Sequence, residues 1–460
     1  LTCEYMTEFA KRTSKYHQII SYDVWNEAAY KDISAIGLKK FRYDMKKKYG
    51  IIDKLNKAWK SNFTSFEKVQ LVIQHSSQLE AYEAWCRWNN NRVTSYVKEM
   101  SKAIKKGNPD AVVNIKISND NTFEGSTSFA GRKLGTSRHW NGIDRWTLAQ
   151  ILDLHGCDTR PTKFVPDQRY SFAWLLPGMC YDLQRSIAPN KPIFDSEWHG
   201  VQTVYSTDIN APAEFLDTAL LFSYLRGVSS NIIWWWSRKG TKLNGKWSYG
   251  SLLTLPVLLD AFGRNNLKVQ RHAPIITSFK NKKPEVCIYF SKSAAIRNVK
   301  YIDLLQKAYE NLNWHGVSIG FVTREMISSS NEKLLIVPGA KFIPEDTFAL
   351  LKRRKQAIFN DLPSNWNDLF KKHGIKRKYT CKVPGKTNSF PVEFRYIETS
   401  AGTFCYLINL GKKEVPVIIS GPTNQLNLTD TLTGQAYPQQ ITLPKYKVMI
   451  LKINKSEKSR

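Results

Sequence analysis

The stretch Pro192-Ile-Phe-Asp-Ser-Glu-Trp-His-Gly200 decides the reading of this chain. Its apolar start predicts a short buried strand. Its end carries a carboxylate beside an indole and an imidazole. Helix patterns flank it at about 171–187 and 212–227. The same unit recurs on either side. Residues 17–27, HQIISYDVWNE, read as a strand ending on Trp25-Asn26-Glu27. A basic amphipathic stretch at 37–60 and a long helix at about 78–106, stopped by Gly107-Asn108-Pro109, lead to an apolar strand at 111–117. Residues 151–154 predict another short strand, closed by His155-Gly-Cys-Asp158. Residues 231–236, NIIWWW, predict one more, before a last helix at 251–264.

Strand alternating with helix predicts a parallel sheet with helical crossovers. The strand ends carry polar or aromatic groups: Asn26-Glu27, Asn119-Asp120, His155, Glu197-Trp198-His199 and Trp236. Chemistry at the carboxyl ends of strands suits a β/α barrel. The sequence holds neither G-x-G-x-x-G nor a P-loop, which argues against a nucleotide-binding sheet. Strand patterns at 286–290, 317–322, 334–337 and 357–359 then predict a small doubly wound α/β domain over about 283–380. Strands at 404–408, 415–419 and 447–451, separated by Gly, Pro, Asn and Thr turns, predict a small antiparallel β-domain over 381–460. The barrel region is 1–282.

Composition narrows the classes. The 460 residues amount to about three domains at roughly 150 each. With 42% apolar and 23% charged residues, the chain is neither disordered nor collagenous. No run of about 18 apolar residues exists, so no membrane-spanning helix is expected. Seven cysteines, an odd number with no C-x-x-C pair, argue against a disulfide scaffold or a structural zinc site. The first residues, Leu1 to Met6, show no signal peptide. A polysaccharide substrate would nevertheless place the protein in the periplasm or outside the cell.

Glu27 and Glu197 end two different strands, each beside a tryptophan. Glycoside hydrolysis needs two facing carboxyl groups. One protonates the leaving oxygen, and the other attacks the anomeric carbon or activates water. Asn26 can hold a sugar hydroxyl next to an acid, and Trp25 can supply an apolar side. Asp23 and Asp195 read as structural.

Strand-end Asn-Glu followed by a later strand-end Glu resembles the retaining β/α-barrel glycosidases. Phe41-Arg-Tyr-Asp-Met-Lys-Lys-Lys-Tyr-Gly-Ile-Ile-Asp-Lys-Leu-Asn-Lys-Ala-Trp59 is similar to the segment that follows the acid/base in glycoside hydrolase family 42, the β-galactosidases. The resemblance implies Glu27 as acid/base and Glu197 as nucleophile. It implies a (β/α)8 TIM barrel, a doubly wound flavodoxin-like α/β domain that assists a dimer or trimer, and a β-domain. Against that pattern the barrel is expected to be N-terminally truncated, with strands four to eight present. Many family members hold a four-cysteine metal cluster near the acid/base. Nothing similar stands here, so no metal and no cofactor is expected.

The net charge of +29 points to a polyanionic partner. Residues 39–60 hold nine Lys/Arg against two Asp, and residues 352–386 hold eleven against two. No nucleic-acid module appears, which sets nucleic acid aside. A sulfated galactan such as carrageenan or porphyran fits both the charge and the resemblance. Arg132, Arg138, Arg238 and Lys239 are candidate sulfate contacts, because a guanidinium fork matches two oxygens. Trp25, Asn26, Asn119, His155, Trp198, His199 and Trp236 complete the candidate substrate contacts. Trp234 and Trp236 share one face of a strand, and Trp236 stands nearer its end. The rival readings are a non-catalytic protein that binds an anionic carbohydrate on the same fold and, from charge alone, a nucleic-acid-binding protein.

Overall fold

In the computed structural model, the described residues are 1–75, 78–118, 120–127, 133, 138–161, 172–200, 212–234, 236, 241–243, 246–248, 252–359, 363, 365–385, 391–423 and 425–454. Five parallel strands order the first half: β1 (Tyr22–Asp23), β2 (Val113–Asn114), β3 (His155–Thr159), β4 (Ile193–Trp198) and β5 (Val228–Ile233). β1 pairs with β2, and β3 with β4 and β4 with β5, all parallel. A parallel bridge from Ser118 to Asp158 joins the two groups. The strands therefore lie side by side in chain order. Helices Leu79–Gly107, Arg145–Ile151, Leu175–Ile187 and Ala213–Leu225 stand in the crossovers.

Several elements differ from the sequence expectation, each for a local reason. The strand expected at 17–27 is regular only over Tyr22–Asp23. Asp23 Oδ1 accepts from the backbone N–H of Trp25 and of Lys116, both at 3.2 Å. A side chain so takes up ladder donors, which ends regular pairing. The basic stretch at 37–60 is two helices, Ala35–Tyr49 and Ile52–Trp59. Gly50 between them adopts φ 76°, a left-handed conformation that costs glycine little. The apolar run at 151–154 closes a helix, and the strand follows it at His155–Thr159. The helix expected at 251–264 runs Pro256–Asn281 and contains Pro274.

A second parallel sheet has the order 357–358, 334–336, 286–289, 319–322. Helix Val299–Asn313 packs on it through Tyr301, Leu305, Tyr309 and Leu312. The same cluster takes in Met179, Leu183 and Ile187 of the barrel helix Leu175–Ile187. Two antiparallel sheets follow. One has three strands, with Val415–Ser420 at its centre, and the other has five, including Val392–Thr399 and Gly402–Asn409. Val417, Ile419, Ile441 and Leu443 of the first share a core with Phe394, Cys405, Leu407 and Leu451 of the second. Tyr406, Ile408 and Ile450 face the other way, into the barrel helix Ala213–Leu225. Among the described residues no helix is long and apolar enough to cross a membrane.

Arg226 joins all three units. Its Nη1 donates to Asp182 Oδ2 and to Tyr309 OH, both at 2.7 Å. Its Nη2 donates to Asn313 Oδ1 at 2.9 Å and to Glu393. Burial opposes charge at Glu393, but the Arg226 and Arg395 cations hold its carboxyl below the usual range. Removing one member of a buried ionic group leaves the others uncompensated. Arg226→Ala is expected to cost about 3–5 kcal/mol, read by denaturant unfolding. A loss under 1 kcal/mol would mean the three units do not depend on it.

Candidate active site

The ladder continues past the regular strands and gathers one end of the sheet. Lys116 N–H donates to the Trp25 carbonyl at 3.2 Å, and Asp158 N–H to the Ile117 carbonyl at 3.1 Å. His199 N–H donates to the Thr159 carbonyl at 2.9 Å, and Trp234 N–H to the Trp198 carbonyl at 3.0 Å. Residues from five strands therefore meet at their carboxyl ends, where a β/α barrel carries its chemistry.

Glu197 reaches that end through a bulge. Cys157 pairs with Asp195, but the next residue, Asp158, pairs with Glu197, so Ser196 is skipped. A bulge re-aims the side chains after it. Asp195 is fully buried and accepts from Tyr181 OH at 2.7 Å and from the Thr159 hydroxyl. Burial pushes its carboxyl up to about 7. Glu197 instead accepts from the Lys116 ammonium on Oε2 and from His199 Nε2 on Oε1, the latter at 3.1 Å. The same His199 Nε2 lies 3.1 Å from Asp158 Oδ1. The ring of Trp234 stands 4.4 Å from the His199 ring.

Glu27 joins the cluster through Arg160, which also faces Asp158. Its carboxyl is raised above the ordinary range, first by sharing a hydrogen bond with Asp158, then by burial and by the Asp158 charge. Arg160, with Nη2 3.7 Å from Glu27 Oε1 and 3.9 Å from Asp158 Oδ2, opposes that shift. Burial works against charge at Asp158, yet His199 and Glu27 hold it below its usual value. Of the two, Glu27 holds a proton more readily than Asp158. Glu27 also has φ 46°, an uncommon conformation for a residue with a side chain.

The arrangement offers one carboxyl group raised toward its protonated form, Glu27, and a second, Glu197, in contact with a lysine ammonium. Asp158, Glu197 and His199 have donor atoms within 4.8 Å of one another, a set that could hold a metal ion. The Lys116 ammonium already supplies positive charge to Glu197.

Other sequence candidates lie elsewhere. His155 begins β3 rather than ending a strand; it is buried, and burial pushes it down to about 4. Trp198 is 1% exposed and packs in the core with Phe215 and Leu220, because the residue after Glu197 points away. Gly200 has to be glycine there, since a Cβ would fall 1.8 Å from the Trp198 ring. Trp25 packs against Tyr30 and Tyr96, and Asn26 is exposed. Arg138 pairs with buried Glu124 at 3.0 Å. Trp236 is 52% exposed beyond the end of β5, so Trp234 is the indole beside His199. Asn119, Arg132, Arg238 and Lys239 lie outside the described residues. Lys116, Asp158, Arg160 and Trp234 were not singled out from sequence as site residues. A lone lysine inside the apolar run Ala111–Ile117 was the one available signal.

The model of glycoside hydrolase family 42, described as β-galactosidase, matches residues 2–214. No curated protein matches. Among solved structures, an exo-carrageenase of family 42 from Bacteroides ovatus superposes with a TM-score of 0.74 at 20% identity. It covers 92% of this chain, while this chain spans 65% of its length. A catalytic mutant of a family 42 β-galactosidase from G. stearothermophilus gives 0.73 at 14% identity, over 98% of this chain and 81% of that one. The β-galactosidase of Bacillus circulans sp. alkalophilus gives 0.71 at 12% identity, over 98% and 82%. These are TIM-barrel enzymes with additional domains. Residues 2–214 thus match the family 42 model, and nearly the whole chain shares the fold of family 42 enzymes.

Proposed function

We propose that this protein is a retaining hydrolase of β-galactosidic bonds in an anionic galactan, of which carrageenan or porphyran is the model. The observation that carries the reading is the gathering of Glu27, Asp158, Glu197 and His199 at the carboxyl ends of the parallel strands, with Arg160 against both Glu27 and Asp158 and His199 against both Asp158 and Glu197. Glu197 attacks the anomeric carbon as protonated Glu27 donates to the leaving oxygen. Glu27 then deprotonates the water that releases the sugar. Lys116 and His199 hold the nucleophile in place. Asp158 keeps the acid protonated before the first step.

The charge of +29 supports an anionic polymer, since a field of one sign concentrates a substrate of the other. The likeness to a protein described as an exo-carrageenase supports the same class. The test compares an aryl β-galactoside with sulfated and desulfated algal galactans on the full-length protein. Release from the sulfated polymer ten or more times faster than from the desulfated one is expected. Cleavage of the aryl galactoside alone would leave a plain β-galactosidase, and silence on all three would remove the enzyme reading.

Glu197→Gln is expected to lower turnover at least about a thousandfold, as loss of a nucleophile does, with folding checked by circular dichroism. Retained turnover would reject Glu197 as nucleophile. Glu27→Gln should slow substrates with poor leaving groups by about 10²–10⁴. Dinitrophenyl galactoside, whose leaving group needs no proton, should enter the first step almost unimpaired. Equal losses on both substrates would contradict the acid role.

The alkaline limb of kcat/KM reports the proton on Glu27. Asp158→Asn removes the neighbouring negative charge, so Glu27 should lose its proton more easily. The limb should move to lower pH. An unchanged or higher limb would show that Asp158 does not set it.

A further inference from the structure

Between Glu27 and helix Leu79–Gly107 the chain inserts the two helices Ala35–Tyr49 and Ile52–Trp59. An insertion that follows a barrel strand stands at the carboxyl end of that strand, the end that holds the acid cluster. Ser34 starts the first helix by accepting from the Gly37 N–H at 2.9 Å. Phe41, Met45, Leu55 and Trp59 bury their side chains with Trp85, Cys86 and Trp88 of the long helix. Phe41 and Trp59 stack with ring centroids 6.1 Å apart, so the two helices lie side by side. Their inner faces share one support, and their outer faces make one surface. Trp88 Nε1 donates to Asp44 Oδ2 at 2.9 Å, and Arg42 Nε to the Val69 carbonyl at 2.8 Å. These bonds fix the insertion to its support.

The outer surface is basic, and its charge is not spent within the chain. Lys39, Lys46, Lys47, Lys54 and Lys57 are exposed, and among the described residues no carboxylate pairs with any of them. Their neighbours are engaged. Lys40 pairs with Asp44 at 3.0 Å, Lys60 with Glu80 at 3.7 Å, and the Lys48 ammonium lies 5.0 Å from the Tyr49 ring centroid. With Asp44 so used, Asp53 is the other carboxylate on the two helices. Tyr43 is 61% exposed. It falls four residues after Lys39, three before Lys46 and four before Lys47, so all four share one helix face.

Helix stability does not ask for the whole pattern. Lysines suit the last turn of a helix, where Lys46, Lys47 and Lys57 stand. Lys54 stands in the first turn of its helix, the end where the helix dipole disfavours a cation, and it faces Lys57 one turn on. Like charges gathered without partners attract a polyanion. Flexible ammonium groups meet sulfate as point charges, and an exposed ring offers an apolar face to a sugar.

We propose that this surface is a non-catalytic docking site for a sulfated galactan chain, with sulfates on the five lysines and a sugar ring against Tyr43. The choice of galactan rests on the hydrolase reading; the basic surface does not. A chain held there is tethered at the end of the barrel where Glu27 and Glu197 stand, which raises its local concentration at the acid cluster.

The test is calorimetry of carrageenan, desulfated carrageenan and double-stranded DNA on the full-length protein in the Glu197→Gln background, which leaves the polymer uncut. Carrageenan is expected to bind more tightly than the other two. Changing Lys39, Lys46, Lys47, Lys54 and Lys57 together to Gln should weaken carrageenan at least about tenfold, as loss of several exposed charge contacts does. It should also flatten the dependence on salt. A control removes the same charge from five exposed lysines elsewhere, Lys300, Lys307, Lys412, Lys413 and Lys447, and should leave carrageenan binding within about twofold, the loss of a bare field effect. Tyr43→Ala should weaken carrageenan and leave DNA unmoved. An equal loss in the control would overturn the site, because net charge alone would then explain binding. DNA bound as tightly as carrageenan, or desulfated carrageenan bound equally, would overturn the ligand. Circular dichroism checks the fold of each variant. Binding is read without turnover, so failure of the hydrolase reading is distinguishable.

Discussion

The buried Arg226 guanidinium is the interaction on which the arrangement of the three units depends. Taking a guanidinium out of water is costly unless its charge and donors are met. Here the acceptors for Nη1 and Nη2 come from three places. Asp182 belongs to a barrel crossover helix, Tyr309 and Asn313 to the doubly wound sheet's helix, and Glu393 to the first long β-strand of the last unit. Apolar packing between those surfaces is permissive about angle. An ionic group of this kind is not, because a small rotation strands a charge.

The active site repeats the same physics with a different purpose. Three carboxyl groups, Glu27, Asp158 and Glu197, are joined at one end of the sheet, with Lys116, Arg160 and His199 among them. In such a set a proton is held most readily where burial and neighbouring negative charge oppose ionisation. That is Glu27. Glu197 instead lies against the Lys116 ammonium. An acid and a nucleophile of similar intrinsic acidity need such unequal surroundings.

Much of this was legible in the residues. Alternating strand and helix, polar strand ends and the Asn-Glu and Ser-Glu-Trp-His endings point to the parallel strands and to both glutamates. What escaped was register. The apolar run at 151–154 looks like a strand, but it closes a helix; His155 thereby moves from the end of a strand to its start, and Asp158 comes to the end in its place. The skipped residue at Ser196 sends Asp195 into the core and Glu197 toward the cluster, and no pattern of period two contains that shift. Trp198 follows from the same frame and turns into the core. Lys116 was visible as a charge in an apolar strand, but its partner lies 81 residues away and only the fold joins them.

The central claim is that Glu197 forms the covalent bond to the sugar. It is tested most directly by incubating the full-length protein with a 2-deoxy-2-fluorogalactosyl fluoride and mapping the trapped adduct by peptide mass spectrometry. The account predicts one galactosyl label, on the peptide containing Glu197. A label on another carboxylate, or rapid turnover that inverts the anomeric centre with no label at all, would contradict it.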